Sequence, residues 1–572
     1  MKENALSAKV NGKWVSYSTR AYIDICYNFA YGLLESGLKR GDKIVTITDN
    51  RPEWNFADHG MSMCGIVHVP VYTSLNKSEY FHVLKHSEAR MVFVADKKLY
   101  KKLEPVCKEA CIKDSLFVFD ASDDLPVWLQ IVDKGRMNRR KWSVELENIM
   151  ASISEKDFAS LIYTSGTTGT SKGVMLSHEN LVQNFIAAAG VFSLSPEDKY
   201  LSILPLCHVG GRMGNYQSQY SGTGIYYAES MGAFAKTMKE IRADGFDAVP
   251  RVLEKVYDNI IAKGNQLTGF KHKLFFWAVK LGLKYKPFGE NGWLYEKKLR
   301  IADKMIFSKW REALGGNVRI VGCGGASLQP RLERLFWAAG VKILNMYGLT
   351  ETSPIITINR QVKPEVKLGT IGPVIKGIDV MIDNNGEILC RGHNVMLGYY
   401  KDDELTASVI DKEGWFHTGD IGHLVDGKFL VVTDRKKEIF KLSNGKFIAP
   451  QVIENLFRES QLIDQLMVVG EHQKFASALI VPDFDQLKKW GDKNNITFSS
   501  DDELICMPEV QRYYKNEITR LNKMFNEHEQ ILRFRLVKNP WTPESGELSP
   551  TLKLKRKVVS DRYGDLIDSI YG

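Results

Sequence analysis

The spacing of apolar side chains follows two rhythms along the first three quarters of the chain. Residues 20–37 carry apolar positions at helical spacing and end near Gly37, which predicts a helix. The runs at 43–48 and 90–94 are short, apolar and rich in β-branched residues, as buried strands are. Similar runs return at 159–163, 199–204, 318–322 and 342–346. Strands separated by helix-length segments predict an α/β fold with mostly parallel sheets.

The pattern changes at the charged stretch 434–438, which follows a strand-like run at 429–432. A substantial part of the chain comes after this break, enough for a small domain of its own. We therefore predict an N-terminal domain over residues 1–433, built of several subdomains, and a C-terminal domain over residues 434–572.

Residues 255–311 differ from the rest because aromatic and basic side chains are interleaved there. A basic amphipathic helix in this segment could lie on a membrane surface, with Lys271, Lys273, Lys280 and Lys284 facing the lipid. A surface helical hairpin, with its aromatic rings packed inward and its lysines in water, has the same pattern. The sequence leaves both interpretations open.

The composition sets outer limits on the function. The chain has 572 residues, of which 44% are hydrophobic and 25% charged, so it is globular and not disordered. The net charge of +9 comes from 77 basic and 68 acidic residues, which suits an anionic ligand or a membrane surface. Spread over so many charged residues, it indicates nucleic acid only weakly, and we expect no nucleic-acid partner. We expect no transmembrane helix, no secretory signal and reduced cysteines. These features predict a cytoplasmic protein with possible peripheral membrane contact.

The segment 163–173 is the sharpest local signal for chemistry. It follows a strand and combines three glycines, hydroxyl side chains and Lys172. Glycines let backbone N–H groups turn toward an anion, hydroxyls add donors, and the lysine adds a positive charge, so the loop suits a polyphosphate. It does not match the Walker A pattern, since Gly173 follows Lys172. The alternative is an ordinary Ser/Thr/Gly surface loop.

Two further segments follow predicted strands and have a similar character. Residues 322–326 are rich in glycine and leave the backbone open to a flat or charged ligand. Residues 347–352 combine an aromatic ring, a glycine, hydroxyls and the carboxylate of Glu351. A carboxylate beside phosphate-binding groups is repelled unless a cation lies between them, so Glu351 is a candidate Mg²⁺ ligand.

The chain resembles the adenylate-forming (AMP-binding) enzymes, and within them the bacterial long-chain fatty acyl-CoA synthetases. The segments that carry the resemblance, in the family's order, are 163–173, 347–351, 415–420, 434–438 and 550–556. Within the family, the narrower similarity lies in 249–255, 445–450 and 550–556. The resemblance implies an α/β N-terminal domain and a small mobile α+β C-terminal domain. It also implies ATP-dependent activation of a fatty acid to acyl-AMP and then acyl-CoA, with Mg²⁺ as cofactor.

The resemblance also implies the residues that bind ATP. The 163–173 loop would hold the β- and γ-phosphates, with Thr164 and Glu351 near the metal. Tyr347 would stack on adenine, Thr350 would contact the α-phosphate, and Asp420 would bind the ribose hydroxyls. The full implied ATP set is Thr164, Ser165, Gly166, Thr167, Thr168, Gly169, Lys172, Gly325, Ala326, Tyr347, Gly348, Thr350, Asp420, Arg435 and Lys441.

Lys553, Thr350 and Glu351 are the implied catalytic residues. Lys553 would place its ammonium between the acid's carboxylate and the α-phosphate, where it offsets the repulsion between two anions. The resemblance further implies a hinge at Lys437 and an acyl pocket bordered by His208. This chain departs from the family at Ser171, where proline is usual, and after His208, where glycines 210 and 211 replace bulkier residues.

Other functions share part of this pattern. A fatty acyl-AMP ligase would pass the acyl group to a carrier protein instead of CoA, although no carrier domain is evident in the sequence. A luciferase-type oxygenase uses the same adenylation residues. A peripheral membrane protein that only binds nucleotide would have no need of Lys553.

Overall fold

The computed structural model describes residues 1–112, 115–164, 171–549 and 552–572. These residues form two compact units. The first comprises Met1–Val380 with Cys390–Phe416, and the second comprises Met381–Leu389 with His417–Gly572. The domain boundary between residues 433 and 434 stays a prediction.

The strands alternate with helices along the chain. In chain order they are β1 (Leu6–Val10), β2 (Lys13–Tyr17), β3 (Lys43–Ile47), β4 (Val67–Val71), β5 (Ala89–Val94), β6 (Leu116–Val118), β7 (Phe158–Thr164), β8 (Lys172–Ser177), β9 (Lys199–Ser202), β10 (Gly224–Tyr227), β11 (Gly245–Ala248), β12 (Ile320–Cys323), β13 (Lys342–Gly348), β14 (Ile355–Ile358), β15 (Ile378–Ile382), β16 (Glu387–Gly392), β17 (Gly398–Tyr399), β18 (Phe416–Val425), β19 (Phe429–Arg435), β20 (Phe440–Lys441), β21 (Phe447–Ile448), β22 (Ile463–Val469), β23 (Ser477–Pro482) and β24 (Arg533–Leu536).

The helices between them are α1 (Thr19–Glu35), α2 (Pro52–Met63), α3 (Lys77–Ser87), α4 (Lys97–Glu109), α5 (Leu129–Met137), α6 (Arg139–Ser152), α7 (His178–Phe192), α8 (Val209–Tyr220), α9 (Phe234–Ile241), α10 (Pro250–Asn265), α11 (Gly269–Gly282), α12 (Trp293–Ala302), α13 (Ser308–Ala313), α14 (Pro330–Ala338), α15 (Asp403–Val409), α16 (Pro450–Phe457), α17 (Phe484–Lys493), α18 (Asp501–Cys506), α19 (Pro508–Asn522), α20 (Arg556–Arg562) and α21 (Gly564–Tyr571).

Two large sheets organise the first unit. One has the order β14-β13-β12-β11-β9-β10-β1-β2 and is parallel except at its two edges. The other has the order β17-β8-β7-β4-β3-β5-β6 and is antiparallel only at β7, β8 and β17. A four-stranded sheet, β15-β16-β18-β19, follows in the chain. The predicted α/β fold with mostly parallel sheets is confirmed.

The second unit has the predicted α+β character. Its sheet β22-β23-β24 packs with helices α16, α18 and α19 around a separate apolar core. The sheet contains one antiparallel and one parallel pair of strands. Because this core is distinct from those of the first unit, the C-terminal part can hold its own fold.

The strand at 429–432 runs further than the sequence pattern indicated. β19 continues to Arg435, so Asp434 lies inside the strand and is fully buried. Its carboxylate accepts hydrogen bonds from the backbone N–H groups of Arg435 (2.6 Å) and Gln451 (3.0 Å). Burial raises the pKa of Asp434 to about 7, although the two N–H donors oppose the rise. Gln451 lies in the first turn of α16, so Asp434 caps that helix.

A buried polar cluster around Arg212 connects the two large sheets. Arg212 lies on α8, which packs on the eight-stranded sheet, and its side chain is buried. The guanidinium donates to Asp58 on α2 (2.5 Å) and to Ser160 on β7 (2.6 Å). The Asp58 carboxylate also accepts hydrogen bonds from Tyr216 (2.5 Å) and His68 on β4 (2.6 Å). Burial disfavours the charged carboxylate, but Arg212 and His68 hold the pKa of Asp58 below its usual range.

The aromatic and basic segment at 255–311 folds as helices α10 to α13 with a small core of its own. Phe275, Phe307 and Trp310 are buried in this core, as the hairpin interpretation predicts. Other large apolar side chains of the segment stay exposed, among them Trp293 and Leu294. Among the helices of the described residues, none combines the length and the apolar character needed to cross a bilayer.

Replacing Arg212 tests whether the buried cluster holds the first unit together. Arg212→Met leaves the Asp58 carboxylate buried without its main cationic partner, so we expect the free energy of unfolding to fall by about 3–5 kcal/mol. Urea denaturation measures this loss. The matched control is Arg136→Met, which removes an exposed ion pair with Asp133 (2.9 Å) and should cost less than about 1 kcal/mol. Equal losses in the two variants would contradict the role of the cluster.

Candidate functional site

The predicted phosphate loop is the connection between β7 and β8. Thr164, the last residue of β7, lies directly opposite Lys172, the first residue of β8. The antiparallel pairing therefore holds these two candidate ligands at the mouth of the loop. The candidates Ser165, Gly166, Thr167, Thr168 and Gly169 lie outside the described residues.

Tyr399 connects Lys172 with Glu351. Tyr399 lies on β17, which pairs with β8, and the ammonium of Lys172 lies 5.3 Å from the centre of its ring. The Tyr399 hydroxyl donates a hydrogen bond to Glu351 Oε1 (2.9 Å). Burial and the adjacent Glu351 carboxylate raise the pKa of Tyr399, so the phenol stays protonated and remains a donor. The structure thus brings Lys172 and Glu351 to Tyr399, a residue not predicted from the sequence, and Thr164 lies opposite Lys172.

Glu351 lies in a short 3-10 turn, Thr350–Thr352, which follows β13. Its backbone carbonyl accepts a hydrogen bond from Met396 N–H (2.9 Å), which fixes the turn against the segment leading to β17. The residue before the turn, Gly348, must be a glycine because Pro354 lies very close to it. A Cβ at position 348 would lie only 1.6 Å from Pro354 O. The backbone of Pro354 and Ile355 therefore packs directly against Gly348 and leaves no room for a side chain there.

The Glu351 carboxylate suits a hard cation. The bond from Tyr399 uses Oε1, and Oε2 has no hydrogen-bond partner among the described residues. The described parts of the chain contain no group of three His, Cys, Asp or Glu side chains that could hold a metal by itself. Mg²⁺ commonly takes one or two protein ligands and completes its shell with water and phosphate oxygens. A single half-buried carboxylate in a turn that contacts β8 fits that mode.

The carboxyl ends of β11, β12 and β13 form one edge of the eight-stranded sheet. The register pairs Ala248 with Cys323 and Cys323 with Asn345. Gly325 and Ala326 come shortly after β12, and Tyr347 is the second-last residue of β13, so the topology brings them to the same edge. Gly325 has φ +83° and, like Ala326, is exposed. Ligands of parallel α/β sheets bind at such edges.

His208 is the N-cap residue of α8. Its Nδ1 accepts a hydrogen bond from Gly210 N–H (3.0 Å), which favours the tautomer with the proton on Nε2. The glycine at 211 creates no space for a ligand, because a Cβ there would lie 2.3 Å from Pro205 O. This glycine instead allows the start of the helix to pack closely against Pro205.

In the second unit, Asp420 and Arg435 form a pair across β18 and β19. The Arg435 Nε lies 3.2 Å from Asp420 Oδ1, and Asp420 is buried. The register places the two residues directly opposite each other. Lys437 and Lys441 are both exposed, and the Lys441 ammonium lies 5.4 Å from the Phe447 ring centre.

Lys553 lies in a tight turn of the second unit. Leu548 and Leu554 pair as an antiparallel bridge, and Lys553 N–H donates to Ser549 Oγ (3.0 Å). Ser549 N–H donates in turn to Lys553 O (2.8 Å). The Lys553 side chain is exposed, so a fixed backbone presents a solvent-facing ammonium. Pro550 and Thr551 lie outside the described residues.

Arg556, three residues beyond Lys553, anchors this turn to the segment that follows β19. Its guanidinium donates to Glu438 (2.9 Å) and to both carboxylate oxygens of Glu454 on α16 (2.6 and 2.7 Å). Glu454 also accepts a hydrogen bond from Val468 N–H (2.8 Å). Burial opposes the charge of Glu438, but Arg556 lowers the pKa of that carboxyl. Sequence reasoning missed this cluster, since the partners lie far apart in the chain.

Comparison with known proteins agrees, over nearly the whole chain, with the resemblance to AMP-binding enzymes found in the sequence. The family model described as AMP-binding enzyme matches residues 2–400, and the AMP-binding enzyme C-terminal domain matches residues 437–572. A long-chain-fatty-acid–CoA ligase of Mycobacterium bovis is 31% identical over 98% of this chain and 93% of its own. The peroxisomal long chain acyl-CoA synthetase 7 of Arabidopsis thaliana is 30% identical, over 94% of this chain and 79% of its own.

Solved structures show the same fold. The adenylation domain of a carboxylate reductase from Mycobacterium chelonae matches with a TM-score of 0.73 at 22% identity, over 99% of this chain and 88% of its own. An anthranilate CoA ligase in complex with anthranoyl-AMP matches with a TM-score of 0.70 at 16% identity, over 98% of this chain and 94% of its own.

Removing the Tyr399 hydroxyl tests its role in orienting Glu351. Tyr399→Phe deletes a hydrogen bond to a carboxylate, which contributes about 1.5–3 kcal/mol. We expect at least about tenfold weaker binding of MgATP, measured by titration calorimetry, because 1.4 kcal/mol corresponds to a factor of ten. Tyr400→Phe is the matched control, since its hydroxyl contacts Glu88 (3.3 Å) and not Glu351. Unchanged MgATP affinity in Tyr399→Phe would refute the assigned role.

Proposed function

The chain belongs to the AMP-binding enzyme family, and we propose that it activates a long-chain fatty acid as acyl-AMP and then transfers the acyl group to coenzyme A. The observation that carries this proposal is the Lys172–Tyr399–Glu351 arrangement at the mouth of the phosphate loop. The whole-length similarity to ligases named for long-chain fatty acids supports the choice of substrate.

ATP would bind at the edge formed by β11, β12 and β13. In this proposal the loop from Ser165 to Gly169 and Lys172 hold the β- and γ-phosphates, and Thr350 holds the α-phosphate. Tyr347 stacks on adenine beside Gly325, Ala326 and Gly348. Asp420 binds the ribose, with Arg435 beside it and Lys441 facing the nucleotide. The exposure of the Gly325–Ala326 backbone supports this arrangement, because nothing in that backbone blocks close approach.

Thr164 and Glu351 would hold Mg²⁺ through a hydroxyl and a carboxylate oxygen. When bound, the ion supplies positive charge that neutralises the phosphate oxygens. The task of Tyr399 is to keep the Glu351 carboxylate turned toward that position. Lys172, also next to Tyr399, adds a second positive charge at the mouth of the loop.

The first reaction joins the acid to the nucleotide. A carboxylate oxygen of the fatty acid attacks the α-phosphorus, a new P–O bond forms, and pyrophosphate leaves as the α–β bridge breaks. The Lys553 ammonium lowers the repulsion between the two anions as they meet. The exposed position of Lys553 on a braced turn supports this role, since a fixed backbone orients the charge.

The second reaction exchanges AMP for a thiol. The CoA sulfur loses its proton and attacks the acyl carbon, and AMP departs with the carboxylate oxygen. Between the two reactions the C-terminal domain would turn about Lys437 and withdraw Lys553. We propose residues 434–572 as that mobile domain and His208 as a residue bordering the acyl pocket.

A carrier protein is the alternative acceptor. Several solved structures of the same fold are adenylation domains of carboxylic acid reductases, one of them joined to a PCP domain. The relatives at about 30% identity are named as CoA ligases or acyl-CoA synthetases. This difference in identity favours CoA.

Release of AMP from MgATP, measured with fatty acids of increasing length, tests the proposal. With a long acid we expect AMP release to depend on added CoA and to yield one thioester per AMP. The length profile then measures the acyl pocket. Accumulation of acyl-AMP with no response to CoA would leave the first reaction intact but replace CoA by a carrier protein. No AMP release with any acid would refute the whole proposal.

Lys553→Ala separates the two reactions. We expect acyl-AMP formation to fall by at least about a hundredfold, because the ammonium acts on charge that develops in that step. Thioester formation from supplied acyl-AMP and CoA should be largely retained. Lys555→Ala is the matched control, since it removes a lysine two residues along the same segment and should leave both reactions near normal. Equal losses of the two reactions in Lys553→Ala would overturn the assignment of Lys553.

A further inference from the structure

A patch of large apolar side chains stays exposed around α12. It consists of Phe288, Trp293, Leu294, Ile301 and Met305, which we call the α12 surface. Trp293, Leu294 and Ile301 are 63%, 67% and 53% exposed. Single exposed apolar residues are common, but five within 18 residues of chain are a concentration that marks interaction surfaces.

The fold does not need these side chains, because the opposite side of α12 makes the packing contacts. Ala302 is buried in the core of the helical segment, and Tyr295 and Leu299 pack against that core. The Tyr295 hydroxyl donates to Leu281 O on α11 (2.7 Å), which fixes the orientation of the helix. The α12 surface is therefore held outward by a rigid support.

The surroundings of the α12 surface are strongly basic. Residues 269–310 contain ten lysines and arginines (Lys271, Lys273, Lys280, Lys284, Lys286, Lys297, Lys298, Arg300, Lys304 and Lys309) and three acids (Glu290, Glu296 and Asp303). Ten minus three gives +7, against +9 for the whole chain. A segment of 42 residues thus carries most of the excess positive charge of the protein.

The acidic residues near the α12 surface do little to cancel this charge. Glu290 is paired with Lys363 (3.3 Å), and Asp303 is paired with Arg311 (2.6 Å). On α12 itself, Lys297, Lys298 and Arg300 are exposed, and the Lys297 ammonium lies 3.8 Å from the Trp293 ring centre. Helices that lie in the headgroup region of a membrane combine exposed lysines and arginines with exposed tryptophan and leucine in this way.

We propose that the α12 surface binds an anionic lipid bilayer, with Trp293, Leu294 and Ile301 entering the headgroup boundary and the basic side chains contacting lipid phosphates. Charge decides between lipid and a second copy of the chain. A symmetric pairing of two α12 surfaces would bring Lys297, Lys298 and Arg300 against the same residues of the other copy, at the cost of like-charge repulsion. The proposal does not depend on the reaction proposed above.

The lysines predicted from the sequence to contact lipid are Lys271, Lys273 and Lys280 on α11 and Lys284 just beyond its end. The exposed apolar residues instead cluster on and beside α12. Binding needs apolar insertion together with positive charge, because charge alone gives a weak, readily screened attraction. The decisive residues are therefore those of α12.

Flotation of the full-length protein with vesicles tests the proposal. Vesicles of phosphatidylcholine and phosphatidylglycerol (about 7:3) should carry the protein at about 0.1 M salt, and pure phosphatidylcholine should carry far less. Lys297→Gln with Lys298→Gln should lower the partition coefficient about 30-fold, since each basic residue contributes about 1 kcal/mol at an anionic surface. Trp293→Ser with Leu294→Ser should lower it to a similar or greater extent.

The matched controls lie on and beside α19, which also carries exposed lysines and an exposed apolar residue. Lys515→Gln with Lys523→Gln removes two exposed lysines on and beside α19, and Met524→Ser removes an exposed apolar residue there. These variants should bind vesicles as the unaltered protein does. Melting temperatures within about 2 °C of the unaltered protein would show that all variants fold.

Three results would overturn the proposal. The first is vesicle binding that the α12 variants and the α19 controls change equally. The second is no preference for anionic over neutral vesicles. The third is a concentration-dependent dimer, seen by sedimentation, that the α12 variants abolish while vesicle binding stays absent.

Discussion

The buried guanidinium of Arg212 is the interaction on which the architecture of the first unit depends. It ties α8, which lies on the eight-stranded sheet, to β7 and to the Asp58–His68 pair on the seven-stranded sheet. A charge that far from water is tolerated only because Asp58 neutralises it and two further neighbours, Tyr216 and Ser160, complete its hydrogen bonds. His208, which we propose borders the acyl pocket, is the N-cap residue of the same helix.

The groups that would handle phosphate come from different elements, and short backbone contacts hold them together. β17 pairs with β8 on one side and presents Tyr399 to Glu351 on the other. The two-residue strand thereby joins the end of the phosphate loop to the turn after β13. The contact between Tyr399 and Glu351 does not lie within either large sheet. It forms because segment 390–416, which contains β17, returns to pair with β8 of the seven-stranded sheet.

Much of the fold could be predicted from sequence because its signals are local. Apolar runs such as 43–48 and 342–346 mark strands without reference to any partner, and the helix at 20–37 is visible in its spacing. The loop before Lys172 and the turn at Glu351 stand out by composition. Tyr399 and Arg556 gave no such signal. Their partners lie 48 residues away for Tyr399 and more than 100 residues away for Arg556, and only the folded chain brings them into contact.

The capping of α16 by Asp434 would favour one orientation of the hinge that we propose at Lys437. The helix begins at Pro450, and Ala449 offers no side-chain cap, so Asp434 supplies the oxygen that Gln451 N–H requires. Asp434 precedes Lys437 in the chain, whereas α16 follows it. A turn about Lys437 of the kind proposed here separates the two groups and leaves the start of the helix to water. A cap is worth about 1 kcal/mol, which favours the capped orientation by roughly fivefold. If residues 434–572 move as proposed, this hydrogen bond would favour one resting orientation and would still break in each catalytic cycle.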